Sequence, residues 1–266
     1  MPYHEPIVVE RRQLGALTLA RWHVPDLARA MRPGQAMLAR CAPPESDDPL
    51  LRRTLFPADA DPHTGVVEVL LAPEERGLAW LAAQPSGARL DVYGPVGNGF
   101  TLAEQTRNLL LAGAGPTVPA LLFLARAAVA RGVAVVLLVA AAGADVLPPP
   151  FLLPSDVEYL TEASGEATLP ALLAGAHLAG GPALSGAPLG WADQLCLGLT
   201  APLLAPVIEQ VRAGTLRWER GFAQTALAGV MPCGVGTCLS CLVETRNGAR
   251  LRCKDGPVFD LRDLRS

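Results

Sequence analysis

Three kinds of pattern follow one another along the chain, and together they predict an α/β plus β protein. Residues 1–100 read as short strands broken by Pro, Gly and Asp, the mark of an antiparallel β-barrel or sandwich. Residues 101–215 read as apolar strand, glycine turn, apolar helix and apolar strand, which implies a parallel-sheet α/β domain. Residues 216–266 form a small, loop-rich unit holding four of the six cysteines. That unit is too short and polar for a strong core of its own, so a metal centre would supply what the core lacks.

The elements can be justified in order. Pro6–Glu10, Gly15–Arg21, Gln35–Cys41, Gly65–Ala72 and Arg89–Tyr93 are β-rich or alternating. Pro33-Gly34 and Pro85-Ser86-Gly87 are turn signals between them, and Glu74–Ala83 fits one short helix. Asn108–Ala112 is an apolar strand stopped by Gly113-Ala114-Gly115-Pro116; Val118–Arg131 then has helical spacing, and Val133–Ala140 is a second apolar strand. Leu169–Ala176 and Ala201–Ala213 read as helices and Asp193–Leu199 as a strand. The segments 143–154 and 180–190 are rich in Pro and Gly and read as loops.

Composition narrows the function. Half the residues are hydrophobic and 18% are charged, which is the opposite of a disordered chain. The net charge of -3 disfavours a broad nucleic-acid-binding surface. The most apolar run, Val133–Ala144, is far short of the roughly 20 residues a spanning helix needs, so no membrane span is expected. Residues 1–13 hold no basic stretch followed by an apolar one, and a cytoplasmic, reducing compartment is the expectation. There a cysteine cluster is more often metal-binding or redox-active than disulfide-bonded.

Cys233, Cys238, Cys241 and Cys253 stand in a C-x4-C-x2-C…C pattern, the spacing of plant-type [2Fe–2S] ligation. Such a cluster needs two thiolates per iron, and three of the four must come from one tight loop. Gly234 and Gly236 let that backbone adopt positive φ and approach closely. The fourth ligand returns through a hairpin whose turn is Asn247-Gly248, pairing Arg246 with Ala249 and Leu242 with Cys253. Two other readings of the four thiols are a tetrahedral zinc and a pair of disulfides; zinc ribbons bring two close pairs, whereas this sequence has a close trio and a single. His4, His23, His63 and His177 are scattered without ligand spacing, which disfavours a Rieske centre, and Cys41 and Cys196 read as buried bystanders.

The stretch Met231-Pro-Cys-Gly-Val-Gly-Thr-Cys-Leu-Ser-Cys241, with Cys253-Lys-Asp-Gly-Pro-Val-Phe-Asp260, resembles the C-terminus of the electron-transfer subunits of NAD-linked dihydroorotate dehydrogenases. Pro33-Gly34-Gln35, Asp48–Arg53 and Gly94-Pro-Val-Gly-Asn-Gly-Phe100 resemble further segments of that family. The resemblance implies an FAD-binding β-barrel (1–100), an NAD-binding-like α/β domain (101–215) and a [2Fe–2S] domain (216–266). It implies no catalytic side chain here, because the cofactors carry the chemistry. It also implies a partner: an FMN-containing catalytic dehydrogenase subunit in a hetero-oligomer. Dihydroorotate oxidised there, in pyrimidine biosynthesis, would send electrons through the cluster and FAD to NAD+.

For FAD, the resemblance implies Arg53 on the phosphates, the strand residues Thr54, Leu55 and Phe56, and Gly77 at the pyrophosphate. The family's serine is replaced by Phe56, and the threonine after the glycine by Leu78. For NAD it implies the turn holding Gly113 and Gly115, where Pro116 removes one N–H donor. The family's Cys-Gly-Pro near the nicotinamide is replaced by Cys196-Leu-Gly198. These departures motivate a second expectation: a non-catalytic iron-sulfur wire or assembly subunit of another oxidoreductase that has lost NAD binding, with FAD binding either kept or lost.

Overall fold

The computed structural model describes residues 2–176 and 188–265; His177 and most of the 180–190 stretch lie outside them. The N-terminal part contains β1 (Tyr3–His4), β2 (Ile7–Leu14), β3 (Leu17–His23), α1 (Pro25–Ala30), β4 (Ala36–Ala39), β5 (Arg53–Leu55), β6 (Asp59–Asp61), β7 (Val66–Leu71), α2 (Arg76–Ala82) and β8 (Val92–Val96). These strands make two four-stranded sheets, ordered β1-β8-β4-β5 and β2-β3-β7-β6, with every pairing antiparallel. Inward residues of both sheets, among them Trp22, Met37, Val67 and Val92, share one core with Leu27 of α1. Removing such side chains from water is the main force holding the two sheets together, at roughly 1.5–3 kcal/mol for each large one.

The middle and end of the chain contain β9 (Asn108–Ala114), α3 (Val118–Val129), β10 (Ala134–Ala140), β11 (Val157–Glu162), α4 (Leu169–Leu173), α5 (Pro188–Trp191), β12 (Gln194–Leu199), α6 (Ala201–Gly214), β13 (Ala223–Leu227), β14 (Leu242–Thr245), β15 (Gly248–Leu251), α7 (Arg252–Asp255) and β16 (Val258–Asp260). A six-stranded sheet runs β11-β10-β9-β12-β13-β16, parallel except at its β13–β16 edge. Strands β9 and β12 are buried along almost their whole length because helices cover both faces, which is why they read as unbroken apolar runs. The strand order reverses between β9 and β12, the place where open α/β sheets bind ligands.

Several elements escape apolar periodicity. β11 is an edge strand with a half-exposed, polar face. β13 carries buried Gln224 and Thr225; the Gln224 amide donates to the Thr101 carbonyl at 2.7 Å and accepts from the Thr101 N–H at 3.0 Å. The cysteine-bearing stretch is flanked by β13 and β16, so both its ends are strands of the large sheet.

The hairpin register differs from the sequence expectation. Thr245 pairs with Gly248 and Leu242 with Leu251, so Arg246-Asn247 occupy the turn. The Thr245 hydroxyl closes it, donating to the Gly248 carbonyl at 2.6 Å and accepting from the Asn247 N–H at 3.2 Å. Gly248 still supplies the positive φ, +97°, but at the end of the turn. Cys253 then sits in α7 rather than in the strand.

Two joints fix the sheets to each other. Arg126 of α3 reaches into the antiparallel part, pairing with Asp59 and with Glu68 at 3.0 Å, and donates to the Leu152 carbonyl at 2.7 Å. The second joint gathers three of the segments that carried the family resemblance. Asn98 donates to the Val258 carbonyl at 2.9 Å and accepts from the Val258 N–H at 3.0 Å. Beside it Gly97 has φ +73°, and a Cβ there would stand 2.2 Å from the Gly256 carbonyl oxygen. A Cβ on Gly34 would meet Phe100 and Val258, each at 2.8 Å.

Candidate functional site

The cysteine loop occupies residues 228–241, after β13. Gly234 (φ +66°), Gly236 (+82°) and Leu239 (+59°) turn it tightly through the left-handed region. The tightness points backbone donors inward. The N–H groups of Cys238 and Val235 face the Cys233 sulfur and hold its thiol down at about 5. The Cys238 side chain also turns to that sulfur. Across the loop, Cys241 and Cys253 have their sulfurs 3.3 Å apart, and the Cys241 carbonyl accepts from the Arg252 N–H at 3.0 Å. Burial, reinforced by the neighbouring Cys241, pushes the Cys253 thiol up to about 12.

The four sequence-predicted ligands therefore fall into two pairs, Cys233 with Cys238 and Cys241 with Cys253. All four are free thiols; the 3.3 Å contact is far longer than the roughly 2.05 Å of a disulfide bond. Among the described residues no three Cys, His, Asp or Glu side chains gather as a single-ion site. Two pairs suit a binuclear centre with two thiolates on each metal better than one tetrahedral zinc. The inward N–H groups suit sulfur ligands carrying negative charge. By both tests the residues fit a [2Fe–2S] cluster.

The flavin residues expected from sequence lie against this loop. The Thr54 hydroxyl of β5 accepts from the Met231 N–H at 3.2 Å. Phe56, where the family has serine, is buried in one apolar cluster with Met231, Cys241 and Cys253. Thr54, Leu55 and Phe56 also line a cavity of about 310 Å³ whose far wall is Gly115-Pro116 and the end of β10. A second hollow of about 250 Å³, between Arg53, Phe56, Leu78 and Val230, opens beside the first.

Arg53 is committed to a carboxylate that sequence reading passed over. Its Nε donates to Glu75 Oε1 at 2.8 Å and its Nη2 to Oε2 at 2.7 Å. The same carboxylate caps α2, accepting from the N–H of Gly77 at 3.0 Å and of Leu78 at 2.6 Å. The Arg53 guanidinium, followed by these N–H donors, lowers the Glu75 carboxyl to about 2. Gly77 is required here, because a Cβ would lie 2.9 Å from both Arg53 Nη2 and Glu75 Oε1. Arg53, Gly77 and Leu78 thus form an anion cradle, and the Glu75 carboxylate occupies it. These donors, two guanidinium N–H groups and two backbone N–H groups, are a set that suits a phosphate as well as a carboxylate, and so fit the pyrophosphate of FAD. Glu75 could have been suspected as an acidic cap just before Gly77.

The expected NAD turn lies at the strand-order reversal, at the C-terminal ends of β9 and β12. A Cβ on Gly113 would meet Leu121 at 2.6 Å and the Gly198 carbonyl at 3.1 Å, so this glycine serves close packing of β9 against α3 and β12. Gly115 has φ +69°, and a Cβ there would meet Glu166 Oε1 at 3.2 Å. Glu166, half-buried, has its carboxyl raised by burial and by Glu74, which lines the same cavity. The crevice position suits a dinucleotide, with two carboxylates at its wall that sequence reading did not single out.

The bystander cysteines are buried: burial raises Cys41 to about 11 and raises Cys196 as well. Among the described residues no helix is long and apolar enough to cross a membrane.

Comparison with known proteins agrees with this geometry. The family model described as the iron-sulfur cluster binding domain of dihydroorotate dehydrogenase B matches residues 229–265. The chain is 34% identical, over 88% of its length and 86% of the relative's, to the dihydroorotate dehydrogenase B (NAD(+)) electron transfer subunit of Shouchella clausii (strain KSM-K16). It is 33% identical, over 88% and 87%, to the protein of the same name from Geobacillus kaustophilus (strain HTA426). In fold it is similar to an NADH-dependent reduced ferredoxin-NADP oxidoreductase, with TM-score 0.76 and 19% identity, covering 98% of this chain and 89% of that one. It is also similar to the ferredoxin reductase of carbazole 1,9a-dioxygenase, with TM-score 0.64 and 19% identity over 82% of this chain and 67% of that one. This chain belongs to the family of dihydroorotate dehydrogenase B electron transfer subunits.

Proposed function

We propose that this chain takes electrons from a partner subunit that oxidises dihydroorotate on FMN and delivers them to NAD+ in the cytoplasm. The working units would be a flavin part (1–100), a nucleotide part (101–215) and a cluster part (216–266). Cys233, Cys238, Cys241 and Cys253 would hold a [2Fe–2S] cluster. Arg53, Thr54, Leu55, Phe56 and Gly77 would hold FAD, and the turn with Gly113 and Gly115 would hold the nicotinamide nucleotide. Once bound, the cluster passes single electrons and the flavin pairs them into a hydride. The chain's own part is placement. The loop N–H groups stabilise the sulfur ligands, Phe56 excludes water between the cysteines and the crevice, and Thr54 ties the flavin strand to the loop.

The observation that carries the reading is that tie: the Met231 N–H to Thr54 Oγ1 bond of 3.2 Å sets two cysteine pairs against the strand expected to hold flavin. It is tested on purified protein by iron and sulfide content, by flavin released on acid precipitation, and by anaerobic bleaching with NADH. Cluster, flavin and bleaching together are the expected result.

One observation favours a second reading. Glu75 occupies Arg53 Nε and Nη2 and the N–H groups of Gly77 and Leu78, donors expected for the flavin pyrophosphate. Protein with a full cluster that neither carries nor binds FAD would identify an iron-sulfur wire or assembly subunit of another oxidoreductase, and sink the first reading.

A further inference from the structure

Arg252 immediately precedes the fourth cysteine and is half-buried. Its Nε is buried without any hydrogen-bond partner. It enters none of the ion pairs among the described residues, whereas the partly buried Arg52, Arg53 and Arg126 each have a carboxylate partner. The nearby Asp255 carboxylate is engaged elsewhere, accepting from the Leu251 N–H at 2.8 Å. Burying a guanidinium without a counter-charge is costly, so its surroundings must hold something that offsets the cost.

The backbone keeps room for this side chain. Gly229, at φ +149°, lies under the guanidinium, and a Cβ there would come 1.5 Å from Nη1. The charge is thereby laid along the start of the cysteine loop. Its own backbone N–H donates to the Cys241 carbonyl at 3.0 Å, and the Cys241 sulfur touches that of Cys253. Lys254, on the other side of Cys253, lays its stem along Gly236 and is exposed, as are Arg246 and Arg250. Arg252 is therefore a positive charge partly withdrawn from solvent next to the Cys241–Cys253 pair.

Four thiolates outweigh the positive charge of a two-iron core, and each electron that arrives adds a further negative charge. A fixed cation in a partly dry site favours the reduced form, and its field is weakly screened there. We propose that Arg252 is the counter-charge of the cysteine site and sets its reduction potential upward, so that the site accepts electrons readily from the partner. The inference rests on the [2Fe–2S] reading above and adds to it the residue that tunes the site.

The test uses the full chain. Iron, sulfide and visible absorption are measured first for the wild-type protein, Arg252→Gln, Arg252→Leu and Arg252→Lys; the reduced-cluster EPR signal is then followed through a redox titration. Wild-type protein without iron or sulfide would defeat the cluster reading itself. With cluster present, the neutral variants are expected to bind the same iron and to lose about tenfold in the one-electron reduction equilibrium, about 59 mV lower. Arg252→Lys keeps the charge and should recover most of the shift. An unchanged potential in a loaded neutral variant overturns the proposal. So does loss of cluster from all three variants, since failure of the charge-keeping Arg252→Lys marks a packing role.

Discussion

The cysteine loop and the turn after β9 are both short and glycine-rich, yet they use glycine differently. In the cysteine loop, positive φ at Gly234 and Gly236 turns N–H groups toward the Cys233 sulfur. After β9, Gly113 is small because Leu121 and the Gly198 carbonyl press on it, and Gly115 faces the Glu166 carboxylate. One loop presents donors to a ligand; the other packs a strand against a helix at the edge of a ligand crevice. A glycine-rich turn is thus a sharper signal of a site when the residues flanking its glycines can themselves bind, as Cys233 and Cys238 can.

Breaking the first loop should have the largest effect. Cys238→Ser or Cys241→Ser should abolish the cluster's visible absorption and remove its iron, whereas Cys41→Ser and Cys196→Ser should leave iron content unchanged. Equal loss across all four variants would show that the cysteines act through folding rather than ligation. Next in size is the joint that seats the cluster segment on the antiparallel sheets. Gly97→Ala places a Cβ against the Gly256 carbonyl in a left-handed conformation and should destabilise by more than about 1 kcal/mol, read as a lower thermal midpoint. Gly87→Ala, with nothing within 4 Å of its Cβ, controls for the left-handed strain alone.

The contrast also explains what was legible in the sequence. Ligand spacing is local, so Cys233, Cys238, Cys241 and Cys253 could be singled out at once, and Asn247-Gly248 marked the return hairpin even though Thr245 shifted its register. β9, β10 and β12 could be read because burial on both faces makes them uniformly apolar. β13 could not, because Gln224 is buried through bonds to Thr101, 123 residues away. Glu75 and Glu166 were hidden for the same reason: their roles depend on Arg53 and Gly115, which only the tertiary fold brings beside them.

The flavin cradle sharpens the comparison through Glu75, whose effect should be smaller than that of a cysteine. Glu75→Gln removes the charge that competes with a pyrophosphate and should tighten FAD binding by several-fold, measured by quenching of flavin fluorescence. The same change weakens a helix cap, at a cost of about 1 kcal/mol. Tighter flavin with a lower thermal midpoint is the expected combination; weaker flavin would mean that Glu75 organises the cradle rather than blocking it. The pH dependence has a definite sign. The Glu75 carboxyl is lowered from 4.5 to about 2 in the folded chain, so its contribution is intact above pH 4.5 and is lost as pH falls toward 2. Across that window the wild-type protein should lose more stability than Glu75→Gln.

Glu166 should give the smallest effect and the most direct reading of the second loop. Its carboxyl is raised by burial and by Glu74, so it gains a proton on acidification before an exposed glutamate does. Protonation removes a negative charge beside Gly115, where a dinucleotide's phosphates would approach the turn. NADH should therefore bind more tightly as the pH is lowered from 7.5. Glu166→Gln should bind more tightly than the wild-type protein at pH 7.5, with most of the pH dependence gone. If acidification weakens binding in both proteins alike, the carboxylates do not face the nucleotide, and the turn after β9 serves packing alone. The contrast between the two glycine loops would then be complete, one binding a ligand and the other only holding a sheet together.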